Sequence, residues 1–149
     1  MTCHQNGRSQ KLMIHYLLDT NHLSPLVTLD HPLRHQVLQA LQIGHTFAIT
    51  VPVLVEMLFG IGLLPRAEKN QAEWQRLRPD FECYIPDEAD AKRAASLQIQ
   101  LRRQGWQLAT VDALIAAVAL RYDLTLLTCD RDFEAIAVLK QEDWLSGSD

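Results

Sequence analysis

The chain has 149 residues, of which 48% are hydrophobic and 21% charged, with 18 acids against 14 bases and a formal net charge of −4. That is one domain able to bury roughly 68–70% of its extended surface and to fold without a disulfide or metal staple. Disorder, collagen and coiled coil are excluded, and so is a general electrostatic footprint for nucleic acid: any polyanion has to be held by a local feature.

Residues 1–12 read as an N-terminal extension or a start-site error, with Met13 as the alternative start. The apolar, branched and aromatic run Leu12–Leu18 predicts a buried strand that stops at Asp19. Leu33, Val37, Leu38 and Leu41 fall at helical spacing, so a helix is expected over 31–43, opened by Pro32 and closed by Gly44. Phe47–Val51 reads as a second strand, followed by a helix from Pro52 to about Leu63. Arg66–Arg78 is a polar helix with a narrow apolar edge, and Phe81–Ile85 a short strand. A long helix is expected from Asp87 or Glu88 to about Gln104, with Gly105 as its stop. Thr110 is placed as the N-cap of a helix over Val111–Tyr122, and Leu124–Thr128 as another buried strand. A short helix around Phe133, a strand near Val138–Leu139 and a frayed tail over 146–149 complete the domain, which spans 13–145.

Strands alternating with helices, several of them apolar on both faces, predict an α/β three-layer α/β/α sandwich on a mostly parallel sheet. The longest apolar stretch, Ala113–Leu120, is eight residues, far below the roughly 20 that cross a bilayer. The opening MTCHQNGRSQ lacks the apolar core of a secretory signal. Cys3, Cys83 and Cys129 are odd in number without CxxC spacing, against a disulfide framework or a thiolate zinc site. A cytoplasmic protein is expected.

Ligands of parallel sheets collect beyond the carboxyl ends of the strands. Two acids stand there: Asp19 in LLDTN and Asp130 in TCDRDF. Glu56 lies in VPVLVEMLFG among apolar neighbours, where a carboxylate is costly without a cation or hydrogen bonds. Asp112 occupies the first turn of the otherwise apolar TVDALIAAVAL. Each has an ordinary alternative: Asp19 as a turn cap, Asp112 as a complement to the helix dipole, Asp130 and Asp132 as solvated turn acids, Glu56 as a partner of Arg66. Four carboxylates on one rim repel one another and call for a divalent cation. An all-oxygen donor set favours Mg²⁺ or Mn²⁺ over zinc, ions suited to phosphodiester hydrolysis. On the same ground, Asp19→Asn or Asp112→Asn should leave the fold intact or stabilised.

LLDTN at 17–21, Glu56 in ITVPVLVEMLFGI, DALIAAVAL at 112–120 and LLTCDRDF at 126–133 resemble the four acidic motifs of PIN-domain ribonucleases, and in order and size the chain is most similar to the toxins of VapBC toxin–antitoxin pairs. The resemblance implies a PIN fold, metal-dependent endoribonuclease activity and coordination by Asp19, Glu56, Asp112 and Asp130, with Asn21 and Thr128 in support. Asp130 is preferred over Asp132 as the fourth acid. Many relatives carry Gly before the third acid, where this chain has Thr110-Val111. The resemblance further implies a homodimer and an antitoxin that inserts into a groove between Pro52 and Arg78. A PIN-like nuclease for RNA processing and a catalytically silent binding module are the alternatives.

Cationic candidates for RNA contact are Arg66 and Lys69 on one segment and Arg102 and Arg103 on another, although a solvated helix face is the commoner role for such residues. His22 lies close enough to Asp19 to touch substrate. His31 and His35 share the i, i+4 spacing of a metal pair but lack a third ligand.

Overall fold

The computed structural model describes residues 12–146, so the expectations of an extension and of a frayed tail fall almost wholly outside it. Five strands form one sheet: β1 (His15–Leu18), β2 (Thr46–Thr50), β3 (Phe81–Tyr84), β4 (Thr125–Leu127) and β5 (Gln141–Glu142). Their order is β3-β2-β1-β4-β5 and every pairing is parallel. The sheet is therefore parallel throughout.

Six helices connect and cover it: α1 (Thr20–Leu23), α2 (Pro32–Ile43), α3 (Val51–Gly62), α4 (Ala67–Leu77), α5 (Glu88–Arg103) and α6 (Thr110–Arg121). Crossovers between parallel strands are right-handed. Stepping from β1 to β2 to β3 therefore lays α1 to α4 on one face, and the return from β3 across to β4 lays α5 and α6, packed together, on the other. The direction of travel reverses at β1 and β4, the kind of position where α/β sheets hold ligands.

Leu17, Leu18, Ile49, Leu126 and Leu127 are fully buried at the sheet centre, as apolar runs flanked by helices on both faces demand. Tyr16, Phe47 and Phe81 stand in register across β1, β2 and β3. Trp144 packs edge-on against Tyr16 and Phe47, with ring centroids 5.0 and 6.0 Å away. Helix α6 is buried nearly all round because Ala113, Ala116, Ala117 and Ala119 let it approach closely.

Three boundaries differ from the sequence expectation. β1 begins at His15 rather than Leu12, because β2, its partner, reaches only to Thr46. The last strand is Gln141–Glu142, not Val138–Leu139: Leu126 and Leu127 pair with the later residues. Thr110 is the first residue of α6 rather than its cap; Ala109 holds the cap position, and the Thr110 hydroxyl instead accepts a bond from Gln98 Nε2 at 3.2 Å. Sequence reading also missed α1 and the 3₁₀ turn Ser24–Val27. At Gly44 the chain turns with φ +112° under the Met13 side chain, and a Cβ there would lie 2.9 Å from Met13 Sδ.

Candidate functional site

The centre starts where β1 and β4 end. The Asp19 N–H donates to Leu127 O at 3.0 Å, which carries the ladder one residue beyond β1. Thr128 continues β4 in the same way, donating its N–H to Glu142 O at 3.0 Å. The two side chains meet: the Thr128 hydroxyl donates to Asp19 Oδ2 at 2.8 Å, and Asn21 Nδ2 donates to the same oxygen at 3.1 Å. Asp19 Oδ1 takes the N–H of Thr20 at 2.9 Å, so Asp19 also caps α1. Capping and site membership are thus compatible. Thr128 Oγ1 in turn accepts the Asp130 N–H at 3.0 Å, fixing the next acid.

On the far side of Asn21 the network closes through His22, which is fully buried. Its Nε2 accepts the Trp144 N–H at 3.0 Å, so the ring proton is on Nδ1 and points to Asn21 Oδ1 at 2.6 Å. Burial holds its pKa down to about 4. His22 cannot touch substrate, contrary to the sequence expectation; it braces Asn21.

Asp112, on the first turn of α6, faces the loop after β4. One carboxylate oxygen from each of Asp112, Asp130 and Asp132 lies within 4.8 Å of the others. Asp130 Oδ1 accepts the Asp132 N–H at 2.9 Å and opens the 3₁₀ turn Arg131–Ala135. Burial, then the charges of Asp19, Asp130, Asp132 and Glu56, push the Asp112 carboxyl up to about 6. Asp19 is raised as well, chiefly by burial, against the lowering effect of its bonds from Thr128 and Thr20. Among the described residues, none of the ion pairs includes any of these five acids.

Glu56 departs from expectation. It is exposed, because the neighbours that made it look buried, Val55, Leu58 and Phe59, are themselves 61%, 40% and 68% exposed. Val53, Met57 and Ile61 are the buried residues of α3, with Leu54 partly buried against the core. Thr20 Oγ1 donates to Glu56 Oε2 at 3.0 Å, which places this acid beside the Asp19 turn. Sequence reasoning overlooked Thr20; its adjacency to Asp19 was the available signal. Arg66 does not pair with Glu56. Arg66 and Lys69 line a separate cavity between α4 and residues 27–30, away from the acids, and Arg102 and Arg103 end α5. His31 caps α2, its Nδ1 accepting the Leu33 N–H at 3.1 Å, so it forms no pair with His35.

The centre is a parallel α/β sheet whose switch point gathers unneutralised carboxylates, all of them hard oxygen donors. Such a donor set fits a divalent cation of the magnesium or manganese type.

The PIN domain family model matches residues 16–139, and the chain belongs to that family. Among solved structures it resembles the VapBC2 complex of Rickettsia felis bound to promoter DNA, at 25% identity and TM-score 0.76, over 88% of this chain and 99% of that one. The DNA-bound VapBC of Salmonella typhimurium is similar at 25% identity and TM-score 0.73, covering 89% of this chain and 99% of that one. VapC20 of Mycobacterium tuberculosis, a toxin cleaving the sarcin–ricin loop, shares the fold at 17% identity and TM-score 0.60, over 82% and 95%. Comparison with curated proteins gives no significant match.

Proposed function

We propose that this chain is an endoribonuclease that cuts RNA phosphodiester bonds with Mg²⁺ or Mn²⁺ and serves as the toxin of a VapBC-type toxin–antitoxin pair. The observation that carries this is the mutual approach of Asp112, Asp130 and Asp132 to within 4.8 Å, beside Asp19, with no ion pair to any of them among the described residues. Asp112, Asp130 and Asp132 would hold the cation, with Asp19 beside them and Glu56 at the margin. When bound, it supplies Lewis acidity at the phosphodiester and neutralises the carboxylates.

The chain's own residues orient the acids. Thr128 and Asn21 fix the Asp19 carboxylate, Thr128 also holds the backbone of Asp130, and His22 holds Asn21. A VapB-type antitoxin as partner is supported by the toxin–antitoxin complexes among the solved relatives and by the apolar side chains that α3 and its end leave exposed, Val55, Phe59 and Leu63 among them. The family resemblance adds a homodimer and a cytoplasmic setting; no helix among the described residues is long and apolar enough to cross a membrane.

The test is incubation of the purified full-length protein with end-labelled single-stranded RNA in Mg²⁺ or Mn²⁺. Internal cuts that EDTA suppresses are expected; intact RNA, or equal cutting in EDTA, overturns the proposal. Growth arrest on expression, relieved by co-expressed antitoxin, tests the toxin role.

Two smaller expectations follow. Thr128→Val keeps the shape of the side chain while removing its bonds to Asp19 and Asp130, and should lower Mn²⁺ affinity or cleavage rate about 10–100-fold; titration of rate against Mn²⁺ concentration reads this. A chain starting at Met13 retains the Met13 contact to Gly44 and should keep its metal-dependent cleavage. Loss of cutting in that shortened chain would give residues 1–12 a necessary role.

A further inference from the structure

Helix α5 ends in a cavity of about 310 Å³ whose walls include Gln98, Ile99, Arg102, Trp106 and Gln107. We infer that this cavity is a nucleobase subsite of the acidic centre, holding one unpaired base of the RNA strand next to the phosphodiester that is cut. The inference rests on the nuclease proposal and adds to it a specificity-determining surface.

The wall is built rather than incidental. Gly105 takes φ +81°, a left-handed conformation that lets the Gly105 N–H reach Arg102 O at 3.0 Å and the Trp106 N–H reach Leu101 O at 2.9 Å. This is the helix-terminating turn that glycine favours, and it folds Trp106 back across the end of α5. The indole is then fixed at its other end: Nε1–H donates to the backbone oxygen of Asp132 at 3.1 Å. Trp106 is thereby tied to one of the clustered acids, while 38% of it stays open to solvent.

The opposite wall is braced to the same centre. Gln98 Nε2 gives its two protons to Leu108 O at 3.0 Å and Thr110 Oγ1 at 3.2 Å, and Thr110 stands two residues before Asp112. That pins the Gln98 carboxamide and leaves its Oε1 without a hydrogen bond among the described residues. Arg102 has no ion pair among the described residues, and Arg103 beside it is exposed.

The chemistry selects the occupant. A planar aromatic face and a guanidinium bind unpaired bases by stacking, and a fixed amide oxygen reads a base edge. A volume near the lower end for small-ligand pockets suits one flat heterocycle. In a chain of net charge −4, an unpaired arginine next to a carboxylate centre supplies the attraction that a nucleic acid strand requires. The expectation of RNA contact at Arg102 and Arg103 rested on charge alone; Trp106 supplies the surface that discriminates.

The test uses the full-length Asp112→Asn protein with Mg²⁺, titrated with single-stranded RNA homotetranucleotides of each of the four bases while tryptophan fluorescence is followed. Saturable quenching with a preference for one base is expected. It should vanish when Trp106→Phe is added, since Trp74 is buried and Trp144 lies against β1 and β2. Arg102→Gln should weaken binding about tenfold. In the otherwise native protein, Trp106→Leu should flatten the base preference at one fixed position relative to the cut in sequenced RNA ends, raising KM more than it lowers kcat. Absence of Trp106-dependent quenching by RNAs that the native protein cuts, or an unchanged base preference in Trp106→Leu, overturns the subsite. Quenching without any cutting by the native protein instead overturns the nuclease proposal and leaves the cavity as an RNA-binding site.

Discussion

Protein carrying Asp112→Asn should cut single-stranded RNA about a thousandfold more slowly than the native chain, and yet resist denaturant better at neutral pH. The loss of rate follows from the proposed role of Asp112 in holding the cation, which would be worth several kcal/mol to the transition state, each 1.36 kcal/mol being tenfold. The gain in stability follows from the environment of Asp112. Burial and four neighbouring acids push its pKa up to about 6 from the ordinary 3.8, so at pH 7 the metal-free fold carries a charge it disfavours. An amide removes that charge, for a gain of about 1 kcal/mol after solvent screening. The advantage should shrink as pH falls through about 6 and disappear below about 4, where the native carboxyl is protonated both folded and unfolded. Urea unfolding of the metal-free proteins at pH 8 and pH 4 checks the sign. Undiminished cleavage by this variant would remove Asp112 from the centre. Asp19→Asn should lose activity too, but not gain stability. Its carboxylate already takes three donors, so an amide must turn its NH₂ toward one of them.

Acid should weaken the fold through His22. The ring is neutral when folded, with a pKa near 4, and titrates at about 6.5 when unfolded. As pH drops below about 6.5 the unfolded chain takes up the proton first, so stability falls until the folded ring also titrates near pH 4. The total loss is about 3 kcal/mol. Full stability from this group is therefore present only above about pH 6.5. Asp112 and Asp19, both raised, act in the opposite sense, since acid relieves them of charge. The decline is best isolated in the Asp112→Asn protein. A flat unfolding midpoint from pH 7 to pH 4.5 there would show that His22 is not held neutral by the Trp144 N–H and its burial.

The sheet was readable because its strands are short apolar runs that stop at polar residues, and a strand covered on both faces admits little else. Asp19 and Asp130 were readable for the same reason: each is the first acid after such a run. Asp112 stood out as the only acid in a helix apolar on every side. Glu56 was located but misjudged. An apolar helix surface looks the same in sequence whether the rest of the chain covers it or leaves it open, and α3 has Val55, Leu58 and Phe59 open. His22 was misjudged because its neutral, buried state depends on Trp144, a bond spanning 122 positions. Trp106 went unnoticed: Gly105 announced the end of a helix, and nothing local says that the following indole returns to Asp132.

The Asp19–Thr128 bond joins residues 109 positions apart, and the bond from the Trp144 N–H to the buried His22 joins residues 122 positions apart. A polypeptide made from its N-terminus carries Asp19, Asn21 and His22 for 109 positions beyond Asp19 before Thr128 is added. The proposed centre therefore cannot close around Asp19 and His22 until the segment through Trp144 has been made.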